Sequence, residues 1–147
     1  MAPLREIARI RTSAVIAGAS VALVTFVGSL ALVLALTRSY RSLVGDLAAA
    51  DTAVLAAAAL VLSAALGGFT SGIASKSAAG GVGAMYGSLS FIVQSVVLLV
   101  IAIASASAGA LPSEPAFAAI VALPCALIAS AIAGRSGAAH NGDDDDD

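Results

Sequence analysis

From Thr12 to Leu36 the chain runs 25 residues without a charged side chain. At ~1.5 Å per residue, a helix of that length outreaches the ~30 Å hydrocarbon core of a bilayer. Three further uncharged runs follow, at about 52–75, 80–105 and 115–134. The centre of the third, FIVQSVVLLVIAI, is the most lipophilic part of the chain. Lipid cannot hydrogen-bond free backbone groups, so only helices and closed barrels cross it. A barrel needs alternating segments of about ten residues, and the sequence has none. The expected fold is all-α: an integral membrane bundle of four transmembrane helices over 12–135. A basic flank, 1–11, precedes it, and a disordered acidic tail, 136–147, follows.

Composition agrees. Charged residues make up 11% of the chain and the mean hydropathy is +1.03, whereas a soluble domain carries roughly 25% charged residues. A cleaved signal peptide is the rival reading of the first run, but signal h-regions are only ~7–15 residues. This run is longer, and Arg38 and Arg41 follow it, so it reads as a retained span. The second run is alanine-rich at Ala56–Ala59, a strong helix former of low hydrophobicity per residue. Thr37–Asp51, with Arg38, Tyr40, Arg41, Asp46 and Asp51, reads as a polar, salt-bridged connection. Ser105–Glu114 reads as a loop from its small residues and Pro112. Pro115 suits a first helical turn. Pro124 sits inside the fourth span, where it frees the carbonyl of Ile120 and predicts a kink. Gly134 reads as the C-cap of that span.

The region from Leu66 to Gly87 joins the second and third spans and holds seven of the fourteen glycines. Lys76, the only lysine, marks its turn. Small residues recur every fourth position on both arms: Ala64, Gly68 and Gly72 before the turn, Ala79, Gly83 and Gly87 after it. Membrane helices associate by close backbone approach, which glycine permits. The expectation is a tight antiparallel hairpin in which Gly68 and Gly72 face Gly83 and Gly87. The glycines do not form a phosphate loop, because GxxxxGK[ST] is missing and no strand precedes them.

Five of the nine acidic residues are the run Asp143–Asp147. Without that run the balance is seven basic residues against four acidic. With the N-terminus inside, the inner segments hold Arg5, Arg9, Arg11, Lys76 and Arg135, and the outer loops hold Arg38 and Arg41. Five against two places both termini in the cytoplasm or its topological equivalent. Arg5, Arg9 and Arg11 alternate with Leu4, Ile7 and Ile10. They are candidate contacts for anionic lipid or a partner, with nucleic acid the less favoured partner. The aspartate run reads as a solubilising tail.

No Asp, Glu, Lys, Arg or His falls within the spans as bounded here, which argues against proton relays, voltage sensors and ion-coupled pumps. Gln94 is the most polar deep side chain, and the expected role is an interhelical bond to a serine or a carbonyl. Serines on the first and third spans are expected to bond their own helix carbonyls. His140 is a lone histidine in the tail, and Cys125 reads as a lone buried thiol beside a proline. Neither has a partner at ligand or catalytic spacing. The sequence therefore predicts no catalytic residues, no metal site and no cofactor.

Three features, GGFTSGIASKSAAGGVG at 67–83, six arginines against one lysine, and the polyaspartate end, resemble small four-span membrane proteins of halophilic archaea. That group includes the internal envelope membrane proteins of archaeal pleomorphic viruses. The resemblance implies a structural component of a lipid envelope without enzymatic activity.

The sequence thus supports a non-enzymatic structural or interaction protein of a cell membrane or viral envelope, in contact with lipid and with a homo-oligomer or membrane-protein partner. The alternative is a subunit of a small oligomeric transporter or channel, with Pro124 and the glycine arms supplying mobile helices. An enzyme using Arg38, Arg41, Asp46 and Asp51 at the membrane surface is a third and weaker reading.

Overall fold

The computed structural model describes residues 11–44, 49–77, 79–107 and 114–143. Four helices account for nearly all of them: α1 (Thr12–Val44), α2 (Ala49–Ala74), α3 (Gly80–Ser107) and α4 (Glu114–Asp143). Each contains an apolar stretch long enough to cross a membrane: Thr12–Val33, Ala53–Ala74, Gly80–Ala104 and Ala122–Asn141. The protein is an all-α bundle of four membrane-spanning helices.

The packing is inside-out relative to a water-soluble protein. The bulkiest fully buried side chains are Gln94, Ser63, Ser71, Ser90 and Ser130. The outside carries large aliphatics such as Val24, 74% exposed, and Ile132, 62% exposed. In water such an exterior would be an extended apolar patch. In lipid it is the solvated face, and the small, polar interior lets backbones approach.

The α2–α3 hairpin forms the centre. α1 touches both of its helices and α4 touches both, while α1 and α4 share no contact among the described residues. They therefore occupy grooves on opposite sides of the hairpin, and α2 with α4 form the most extensive pair. The α1 groove is filled through the stripe Ala14, Val15, Gly18, Ala19 and Ala22, at helical spacing. A Cβ added at Gly18 would sit 2.6 Å from Ser71 Cβ and 3.0 Å from Ser90 Cβ. Leu60, Ala64 and Phe91 pack with Ala122 and Ala126 on the α4 side.

The helices outlast the expected spans at both ends of the chain. α1 continues to Val44 through part of the predicted 37–51 connection, because TRSYRSLV holds neither glycine nor proline and polarity alone does not end a helix. The side chains of the predicted salt-bridged loop and the 105–114 loop lie outside the described residues. α4 continues to Asp143, so its stretch from Ser136 to Asp143 is helix rather than disordered tail. The cause is burial: Ala138 is 0% exposed and Gly137 is buried against α2. Gly134 is accordingly a mid-helix packing residue, not a C-cap. The fourth span, Ala122–Asn141, also encloses Arg135 and His140, so the spans are not free of ionisable groups. Cys125 is exposed on the outer surface rather than buried.

Candidate functional site: a glycine junction and a buried amide

The α2–α3 turn is held by one left-handed residue and two side chains. Lys76 adopts a left-handed backbone, φ 53°, the conformation that often follows a helix C-terminus, usually at glycine. Ser75 Oγ donates to the Gly72 carbonyl at 2.6 Å. Asn141, on the last turn of α4, donates through Nδ2 to the carbonyls of Ile73 at 3.2 Å and of Gly72 and Ser77 at 3.4 Å. The last carbonyls of a helix have no partner within it, and here α4 supplies one. That bond requires α4 to remain helical to Asn141.

Gly68, Gly72, Gly83 and Gly87 are all buried, and the atoms that a Cβ at each would meet first belong to α4 rather than to one another. Each contacts α4. A Cβ at Gly68 would strike the Ser130 carbonyl, and one at Gly72 would strike the Gly134 carbonyl and lie 3.1 Å from Ala138 N. On α3, a Cβ at Gly83 would strike the Gly134 carbonyl and Ala138 Cβ, and one at Gly87 would strike the Ser130 carbonyl. The expected face-to-face glycine hairpin is therefore replaced by a three-helix junction. Ser130, Gly134 and Ala138 form one stripe of α4, and the two glycine pairs hold it from either side. Ser130 Oγ donates across the junction to the Gly87 carbonyl at 2.8 Å. The physical reason is spacing: residues four apart define one face of a helix but do not name the helix it meets. The missed stripe was visible as Ser130-xxx-Gly134-xxx-Ala138, the same small-residue period found on the hairpin.

Above the junction, at the middle of the spans, Gln94 is 0% exposed. Its Nε2 donates to Ser63 Oγ at 3.0 Å, and Ser63 Oγ donates in turn to the Leu60 carbonyl at 2.9 Å. This is the expected interhelical bond, between α3 and α2. Gln94 Oε1 is buried and accepts no hydrogen bond. Ser71 and Ser90 bond within their own helices, to Gly68 O and Gly87 O, both at 2.8 Å, whereas Ser95 Oγ is buried without a hydrogen-bond partner.

Arg11, just before α1, is exposed, and its backbone N–H donates to Tyr86 Oη at 2.7 Å, tying the start of α1 to α3. Arg5 and Arg9 lie outside the described residues. No cluster of three or more His, Cys, Asp or Glu side chains occurs among the described residues. The chain matches no protein-family model, no curated protein and no solved structure.

Proposed function

We propose that this protein is a non-enzymatic structural or interaction component of a membrane, with a virion envelope as one such setting and both termini on the inner side. The observation that carries the reading is how the buried polar groups are used. Ser130 bonds the backbone of α3, Gln94 bonds Ser63, and Asn141 caps α2. Polar side chains that hold helices to one another build a scaffold; a transport path would need them turned toward a lumen. The large aliphatic exterior supports extensive lipid contact, and the basic start with Arg5, Arg9 and Arg11 supports a role in contacting anionic lipid or a partner on the inner face.

The test is quantitative recovery from the native membrane or purified particles, with copy number measured by mass spectrometry. The reading expects a high copy number relative to lipid and retention through washing in high salt. A low copy number, together with solute or ion flux in reconstituted vesicles, would move the assignment to the transporter or channel subunit.

A further inference from the structure

An arginine inside an apolar span is expensive unless its charge reaches water or a counter-ion. Arg135 lies six residues before the end of the fourth span, Ala122–Asn141, about 9 Å along the helix axis. It follows Gly134, whose backbone is locked in the junction, so the start of the side chain has a fixed place. Its stem then crosses to α3. A Cβ added at Gly80 would come within 3.0 Å of Arg135 Cγ, 3.3 Å of Nε and 3.6 Å of Cδ. Gly80 thus leaves the room in which the Arg135 stem lies, and the guanidinium emerges, exposed, beside the first turn of α3. This is the geometry of a snorkelling side chain delivered to headgroup depth.

Nothing described around it neutralises the charge. No carboxylate pairs with Arg135 among the described residues. The nearby end of α3 is the positive end of its dipole, and the exposed Lys76 stands on the turn just before it. His140 is exposed one turn further along α4 and brings no negative charge. The closest acid downstream on the same helix, Asp143, is eight residues on, about 12 Å along the axis. At that depth the abundant anion in a membrane is the phosphate of a lipid headgroup, and basic recesses between spanning helices recognise such groups. We propose that Arg135, with its stem seated on Gly80 beside the first turn of α3, holds a phosphate oxyanion at the α3–α4 edge of the bundle.

The experiment uses the full chain in mild detergent, with the thermal unfolding midpoint followed as phosphatidylglycerol, phosphatidylcholine of the same acyl chains, or inorganic phosphate is added. Phosphatidylglycerol should raise the midpoint and phosphatidylcholine should not. Arg135→Gln should raise the half-saturating lipid concentration about tenfold, the factor one charge-assisted hydrogen bond contributes. Arg135→Lys keeps stem and charge but loses the two-pronged donor, so its response should fall between. A rise reproduced by inorganic phosphate keeps the site and identifies free phosphate as the source. Removing residues 143–147 should leave the Arg135 dependence in place. Equal responses to the two lipids, or an Arg135→Gln response matching the parent, overturn the proposal.

Discussion

Gly134→Ala is the sharpest test of the junction. The added methyl would strike the Gly83 carbonyl and lie 3.0 Å from Gly87 Cα and 3.1 Å from Gly83 C, all backbone atoms that no rotamer change can move aside. α4 must therefore shift away from α3. Overpacking of this kind destabilises by about 1–3 kcal/mol. A shift also stretches the 2.8 Å bond from Ser130 to Gly87 O, which adds about 1 kcal/mol. Alanine is the better helix former by about 1 kcal/mol and offsets part of this. The expected net loss is about 1–3 kcal/mol. Gly28→Ala is the matched control, since a Cβ there meets nothing within 4 Å. It keeps the propensity gain and should be neutral or slightly stabilising. Reversible unfolding in mixed detergent and dodecyl sulfate, followed by circular dichroism, measures both variants on one scale. Equal stability of Gly134→Ala and Gly28→Ala would mean that α4 does not seat where described, and the three-helix junction would fall with it.

Ser63→Ala should lose about 1–2 kcal/mol by leaving the Gln94 amide wholly unpaired, while adding Gln94→Leu should restore most of it; a double variant no more stable than Ser63→Ala in the same unfolding assay would contradict this. Lys76→Gly should gain about 0.5–1 kcal/mol because glycine enters the left-handed region without strain, and a lower thermal midpoint would count against the turn geometry. Reporters placed after Asp147 and within 108–113 should label on opposite sides of the membrane, the former inside; the reverse pattern would invert the orientation drawn from the arginines.

The spans were legible because a charge is hard to hide in hydrocarbon, and long uncharged runs are therefore unambiguous. Their ends were not. Thr37–Val44 is polar enough to leave lipid yet contains no glycine or proline to stop a helix, while Ser136–Asp143 holds Gly137 and Gly142 and stays helical because Gly137 and Ala138 are drawn into the packing although they follow Arg135. The Gln94–Ser63 bond could be anticipated, since a buried amide needs a partner and serines were spaced along the neighbouring helix. The pairing of the glycine faces could not. Gly68 and Gly72 announce that something comes close, but only the assembled bundle shows that Gly83 and Gly87 meet the same helix. Reading Gly134 as a cap hid that helix, because the same residue type serves as terminator and as contact surface.

The seating of α4 between two glycine faces has a consequence in time. α4 is synthesised after the other three helices, yet it is the one that covers the backbone of Gly68, Gly72, Gly83 and Gly87 and that adds a hydrogen bond to the carbonyls of Gly72 and Ile73. Until it enters the bilayer, a nascent chain presents a bare glycine groove to whatever lies alongside.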